Sequence, residues 1–189
     1  MNKDRLAAFT DAILAIIMTI LVLELKKPTC VTLAGLWALR VNFFAYALSF
    51  FWIGLMWMTH HNNWQNVKLV NTQTVIYTLL MLFFSSLFPY TTSLVADNFN
   101  NPTAQAFYGV VILAVTFSNM AISHSVDVAN DDLSLGLLYT LSDRAVILDI
   151  VIKVAGLILT LTVFPPAMMF AIFVTMFEIT LAHFPQRGR

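Results

Sequence analysis

The stretch from Arg5 to Leu25 constrains this chain most, because it is apolar enough to cross a bilayer and yet carries charges. It reads RLAAFTDAILAIIMTILVLEL. As an α-helix rising about 1.5 Å per residue, it spans roughly the 30 Å of bilayer hydrocarbon. Arg5 and Asp11 lie in its first two turns, where an ionisable side chain is costly unless it faces protein or water. The pattern therefore predicts a helix inside an assembly, not a lone membrane anchor.

A helical wheel of this stretch separates an aliphatic face from a polar side. At 100° per residue, Ile20 and Leu23 fall within about 40° of Ile16. Thr19 lies about 60° to one side of Ile16, and Asp11 points roughly 140° away. The wheel therefore predicts an aliphatic face flanked by one hydroxyl, with the carboxylate directed at a neighbouring helix.

Composition places the whole chain in a membrane. Of its 189 residues 59% are hydrophobic and only 11% are charged, which is more apolar surface than a soluble domain of this length can bury. The formal net charge of zero gives no indication of a nucleic-acid partner. A single cysteine, Cys30, excludes an internal disulfide and any multi-cysteine metal site. No signal-peptide cleavage site is evident, so the first helix is expected to remain in the mature protein.

Apolar segments of membrane-spanning length recur along the chain and predict an all-α integral membrane fold with six transmembrane helices. Turn-forming residues separate them, such as Lys26-Lys27-Pro28 and Pro165-Pro166. No soluble domain, linker or internal repeat is visible, so residues 1–189 are expected to form one domain. The six predicted spans are Arg5–Leu25, Leu33–Met58, Thr74–Val95, Gln105–Ser123, Ala145–Phe164 and Ala167–Ala182.

Lysine and arginine outside the spans predict that both termini are cytoplasmic. With the N-terminus inside, the opposite side carries Lys26 and Lys27, with Arg40 near that interface. The tryptophans fall mostly towards the span ends, as in an interfacial aromatic belt. We therefore expect a multi-pass protein of the cell membrane. The basic residues on its predicted inner side are Lys3, Arg5, Lys68, Arg144, Arg187 and Arg189.

Two adjacent histidines, His60 and His61, directly follow the second predicted span, in WMTHHNNW. A metal site is one interpretation, but adjacent helical residues diverge by 100° and no HExxH motif is present. The alternative is that the imidazoles form hydrogen bonds between helices. They would then be the most direct partners for Asp11, because the histidines and Asp11 lie near the same membrane face. The sequence predicts no resident metal or cofactor.

A second set of ionisable residues lies in the fifth and sixth predicted spans. Asp149 and Lys153 are four residues apart on one helical face, so each can neutralise the other. A structural pair facing the bundle is one interpretation; a proton-coupled transporter that also uses Glu178 is the other. GxSxG, P-loop and GxGxxG motifs are absent, so we do not expect an enzyme.

The residues Arg5-x-x-x-Phe9-Thr10-Asp11 resemble the RxxxFSD signature of the transmembrane protein 175 potassium channels, with threonine in place of serine. WMTHHNNW and LFFSSLFPYTTSL also resemble prokaryotic members, so the similarity covers at least the first half of the chain. The resemblance implies six helices per chain and a homotetramer in the lipid bilayer. It also implies a central pore, lined by the first helix of each subunit, that conducts potassium ions without a TVGYG filter.

The resemblance further implies roles for individual residues. Ile16 would form the narrowest hydrophobic layer of the pore, and Ile20 and Leu23 would form further layers. Thr19 would supply a hydroxyl implicated in potassium preference. The remaining motif would form a buried network between helices. That implied network comprises Arg5, Phe9, Thr10 and Asp11, with His60 and His61 as candidate partners.

Overall fold

In the computed structural model, residues 2–65, 67–130 and 143–183 are described, and they form an all-helical bundle. Arg187 and Arg189, which the topology prediction uses, lie outside the described residues. The helices are α1 (Lys3–Leu21), a 3₁₀ turn (Val22–Glu24), α2 (Leu33–Ala38), α3 (Arg40–Trp64), α4 (Thr72–Ser86), α5 (Phe88–Asp97), α6 (Pro102–Ala129), α7 (Asp143–Thr162) and α8 (Ala167–His183).

Among the described residues, four helical stretches are long and apolar enough to cross a membrane. They correspond to the first four predicted spans. The helices α7 and α8 lie at the positions of the fifth and sixth predicted spans, and that these two also cross the membrane stays a prediction. The four stretches are Lys3–Glu24, Arg40–Asn62, Thr72–Asp97 and Pro102–Ala129.

The second predicted span has the wrong bounds at both ends. Its first residues form the separate short helix α2, and the long helix α3 begins only at Arg40. At the other end, α3 continues past the apolar run to Trp64. His60 and His61 therefore lie within a helix and not after one. The polar residues that end the apolar run contain no helix breaker, so the backbone hydrogen bonding continues through them.

The third predicted span is one apolar stretch but two helices. The helices α4 and α5 meet at Leu87, whose N–H donates to the carbonyl of Phe84 at 3.1 Å. Pro89 lies in the first turn of α5, where the missing proline N–H leaves no helical hydrogen bond unmade. The proline therefore sets the position of this break without ending the membrane-spanning stretch.

The first helix packs one face onto its own subunit and leaves the other uncovered. It contacts α3, α4 and α5. Its α-helical part ends at Leu21, so Leu23 lies in the 3₁₀ turn and not in the predicted continuous α-helix to Leu25. The buried side chains recur every three or four residues, as expected for one helical face. They are Leu6, Thr10, Leu14, Ile17 and Leu21.

The helix α6 is central to the bundle, because it contacts α4, α5, α7 and α8. Next to it, α7 and α8 form a closely packed hairpin. A Cβ atom at Gly156 of α7 would lie 2.5 Å from the Cβ of Ala171 in α8, so the contact requires a glycine. Small residues commonly allow such close approach between membrane helices. The chain is thus packed around α6.

Candidate pore helix and inter-helix site

The aliphatic side of α1 that the helical wheel predicts is exposed on the surface of the single chain. Ile16 is 56% exposed, Ile20 is 38% exposed and Leu23 is 78% exposed. Ile17, next to Ile16 in the chain, is only 4% exposed because it faces the subunit. The structure therefore places the three predicted pore residues together on the side of the first helix that its own subunit does not cover.

Thr19 lies on the same uncovered side of α1. Its hydroxyl donates to the carbonyl oxygen of Ile16 at 2.8 Å, within its own helix. Threonine in a helix often forms such a bond to the preceding turn. Because the proton is used there, the oxygen lone pairs remain available to accept a hydrogen bond or contact a cation. Thr19 thus presents an acceptor, not a donor, to whatever lies against this face.

Within the chain, Asp11 is hydrogen bonded to Trp57 and, among the described residues, not to the candidate histidines. The indole Nε1 of Trp57 donates to Asp11 Oδ1 at 2.9 Å. His61 takes part only through its ring, which stacks on the Trp57 indole with centroids 5.4 Å apart. Sequence reasoning assigned Trp57 to the interfacial belt. Its spacing of four residues from His61 is the signal that both side chains share one face of α3.

His60 connects α3 to α6. Its Nδ1 accepts from Trp64 Nε1 at 2.9 Å, and its Nε2 lies 2.6 Å from Asn119 Oδ1. An indole N–H can only donate, so Nδ1 is the acceptor and the ring proton resides on Nε2, which donates to Asn119. Both ring nitrogens of His60 are therefore occupied by hydrogen bonds. Among the described residues, no group of three or more metal-binding side chains comes together.

The other motif residues do not join this cluster within one chain. Thr10 is buried, and its hydroxyl donates to the carbonyl of Leu6 at 2.9 Å, within α1. Phe9 is half exposed. Arg5 is exposed and forms no hydrogen bond or ion pair with any described residue. The structure thus joins Asp11 to α3 but leaves Arg5 and Phe9 on the surface.

The predicted pair in α7 is present and buried. Lys153 Nζ lies 2.6 Å from Asp149 Oδ2 and donates to the Thr116 hydroxyl of α6 at 3.1 Å. It also lies 5.6 Å from the centre of the Trp52 ring of α3. Buried oxygens of Asp149 (Oδ1) and Glu178 (Oε2) have no hydrogen-bond partner among the described residues. The pair therefore fastens α7 to the centre of the subunit.

The comparison with known proteins identifies the family to which this arrangement belongs. The family model described as endosomal/lysosomal potassium channel TMEM175 matches residues 5–89, which include the motif of α1 and the histidines of α3. A potassium channel of Chryseobacterium is 39% identical over 120 residues, covering 62% of each chain. The chain belongs to the TMEM175 family. The match to the family model ends before the ion pair of α7.

Other members of the TMEM175 family are more distant. A potassium channel of Streptomyces collinus is 31% identical over 131 residues, or 65% of this chain and 64% of the relative. The rat endosomal/lysosomal proton channel TMEM175 is 29% identical over 96 residues, or 44% of this chain and 19% of the relative. The chain thus matches less than two thirds of the length of these curated relatives.

The fold extends further than the sequence similarity. A crystal structure of a lysosomal potassium-selective channel TMEM175 homologue from Chamaesiphon minutus superimposes with a TM-score of 0.73. The match covers 95% of this chain and 96% of that one, at 22% sequence identity. The predicted all-helical fold is therefore confirmed, and the match is long enough to include the helices α7 and α8. The tetramer and the number of six spans stay predictions.

Proposed function

We propose that the chain forms a potassium-preferring cation channel, with a pore lined by α1 from each of four copies. The observation that carries this proposal is the uncovered side of α1, where Ile16 and Ile20 are exposed together with the hydroxyl of Thr19. A four-fold assembly would bring four copies of this side around one axis. The permeant ion would be potassium, with no resident cofactor, no nucleic-acid partner and no enzymatic reaction.

Ile16 forms the main barrier in this proposal. Four isoleucine side chains would converge at one level, and a β-branched side chain is stiff at χ1 and adapts poorly. An ion that crosses such a layer loses hydration that an aliphatic wall cannot replace. A hydrophobic constriction can also close a pore by dewetting. Ile20 and Leu23 would repeat the layer, with Leu23 at the outer end in the 3₁₀ turn.

Thr19 contributes the preference among cations. The chain has no TVGYG sequence, so a filter of backbone carbonyls of that type is not available. Since the Thr19 hydroxyl donates to Ile16, its oxygen would face the ion with free lone pairs. A ring of four such oxygens, next to a hydrophobic layer, would favour the cation that loses its water more readily.

The motif at the start of α1 holds the pore helix in place. Asp11 already bonds to Trp57 of α3 within the subunit. Arg5 and Phe9, exposed in the single chain, would be covered when four α1 helices assemble, and Thr10 would keep this part of α1 packed. His60 and His61 would support the network from α3. We place the assembly in the cell membrane with both termini cytoplasmic, as the basic residues indicate.

The test is planar-bilayer recording of the purified protein with potassium on one side and sodium on the other. A channel gives discrete single-channel steps, and potassium preference gives a reversal potential displaced from zero. A reversal potential of zero would contradict the proposed potassium selectivity. Macroscopic flux without single-channel steps would contradict the proposed channel function.

A proton-coupled transporter is the second candidate, because Asp149 retains an unpartnered buried oxygen beside Lys153 and Glu178 also has one. Ionisable groups at membrane depth often mark transport pathways. A transporter would show saturable flux that requires a counter-ion and stops when Lys153 is replaced by methionine. If the protein is a channel, the fraction of the Lys153→Met variant that folds should still show single-channel steps.

A further inference from the structure

A cavity of about 340 Å³ lies between the first turns of α1 and the last turns of α3. On the α1 side it is lined by Lys3 and Thr10 and by a set of four regularly spaced residues, Asp4, Ala7, Ala8 and Asp11. These positions follow the spacing i, i+3, i+4 and i+7, so they form one continuous stripe of the helix. The two alanines leave space where larger side chains would fill it. The volume falls in the range of small-molecule sites.

The stripe carries a carboxylate at each end. Seven residues separate Asp4 from Asp11, which corresponds to about 10 Å along a helix axis. The Asp4 carboxylate and the second oxygen of Asp11 form no hydrogen bond with the described residues, since Trp57 binds only Oδ1. Lys3 also lines the cavity, but its amine donates to the carbonyl of Val67 at 2.6 Å. Among the described residues, Lys3 forms no ion pair with either carboxylate.

The opposite wall offers aromatic surface. His60 and Trp64 line the cavity with rings stacked at 6.5 Å, and His61 lines it next to the Trp57 indole. The nitrogens of His60 are already hydrogen bonded, so this ring offers its face to a ligand and not a donor. Aromatic faces attract ammonium groups and also pack well against alkyl chains.

We propose that this cavity binds an elongated organic cation with an ammonium group at each end, of the aliphatic diamine or polyamine class. One ammonium pairs with Asp4 and the other with the free oxygen of Asp11. The methylene chain lies along Ala7 and Ala8, against the rings of α3. A monoamine satisfies only one carboxylate. The proposal does not depend on the channel function, because the binding is measured directly.

The experiment is isothermal titration of the purified, assembled protein in lipid nanodiscs. Octamethylenediamine is the probe, and octylamine is the matched monoamine. Ethylenediamine, which is too short to reach both carboxylates, is a second comparison. We expect Asp4→Asn to weaken diamine binding about fivefold, the upper end for one exposed ion pair, and to leave octamethylenediamine no better than octylamine.

Two further variants separate a shaped site from general attraction of cations. Ala8→Leu fills the stripe without changing its charge and should greatly weaken diamine binding. Glu24→Gln removes a carboxylate at the far end of the same helical segment and should leave the affinity unchanged. The proposal is overturned if octamethylenediamine does not bind, if octylamine or ethylenediamine binds equally well, or if Asp4→Asn and Ala8→Leu bind like the wild type.

Discussion

The first helix and α7 both carry polar side chains in apolar helices, but Lys153 of α7 is buried among neighbouring helices, whereas Thr19 of α1 lies on an uncovered side. In α7, Lys153 is 2% exposed and finds Asp149, Thr116 and the Trp52 ring inside its own subunit. In α1, Thr19 bonds only to its own helix, and the aliphatic side around it is uncovered. The Lys153 ammonium thus finds its partners within one chain, whereas the uncovered side of α1 around Thr19 is left for something outside the chain.

This difference distinguishes residues that stabilise the packing of one chain from residues that act where chains assemble. A charge pair that contacts two neighbouring helices, α3 and α6, contributes to the packing of the chain whether or not it meets another copy. An exposed apolar stripe at the edge of a subunit gains its contacts only from lipid or from other chains. Substitutions in the buried Asp149–Lys153 pair should therefore change folding, and substitutions on the uncovered side of α1 should change conduction.

The largest effect is expected for Lys153→Met. It leaves the Asp149 carboxylate buried without a cation, and breaking a buried pair in this way costs about 3–5 kcal/mol of stability. Thermal unfolding in detergent measures the loss. The double variant Lys153→Met with Asp149→Leu is the control and should recover most of it, because no unpaired charge remains. A Lys153→Met protein as stable as the wild type would contradict the packing role of α7.

Asp11→Ala should have the next largest effect. It removes the acceptor of the exposed Trp57 indole N–H, and a typical hydrogen bond of this kind contributes about 0.5–1.5 kcal/mol in each chain. We expect tetramers to dissociate on size exclusion before conduction changes. Asp11→Asn keeps an oxygen acceptor and should be milder. If Asp11→Ala runs as a normal tetramer with an unchanged melting temperature, Asp11 does not support the assembly.

Ile16→Asn tests the uncovered side of α1 directly. Amide groups would hold water at the constriction, so we expect about tenfold larger current, equivalent to roughly 1.4 kcal/mol of barrier, with weaker discrimination between ions. The matched control is Ile17→Asn, which places the same amide in the core and should impair folding. A stable Ile16→Asn tetramer with wild-type current would show that Ile16 does not form the barrier.

Thr19→Val should have the smallest effect. It keeps the shape of the side chain and removes the oxygen, so the potassium preference should shrink a fewfold, under about 1 kcal/mol, while conduction persists. Reversal potentials in mixed potassium and sodium measure this change. Thr10→Val is the control, since its hydroxyl also bonds to its own helix but is buried within the subunit. Equal reversal potentials for Thr19→Val and the wild type would exclude a contribution of Thr19.

Local patterns predict much of the fold because they depend on periodicity and length. That Ile16, Ile20 and Leu23 share one side of the first helix follows from the helical wheel, and the Asp149–Lys153 pair follows from a spacing of four residues. The break before Arg40 is not predicted, since apolar composition continues through it without a proline. The end of α3 is missed for the opposite reason: a polar segment ends the hydropathy signal but not the helix.

The candidate site is harder to predict because its contacts join distant parts of the chain. Trp57 meets Asp11 across 46 positions, and His60 meets Asn119 across 59. Such contacts depend on the rotation and depth of whole helices, which no local pattern specifies. The sequence therefore identifies the residues with unusual chemistry but does not specify which side chain of α3 meets Asp11.

The hydrogen bond from Thr19 to Ile16 has a consequence for how an ion would be received. The O–H bond of a hydroxyl group can rotate about the C–O bond. A hydroxyl without a hydrogen-bond partner must reorient each time an ion arrives, and it loses rotational entropy each time. Here the helix fixes the hydroxyl before any ion is present, so the oxygen dipole is preorganised. Each chain would bring one aligned dipole of its own. In hybrid tetramers the ionic preference should therefore change in graded steps with the number of threonine-bearing subunits.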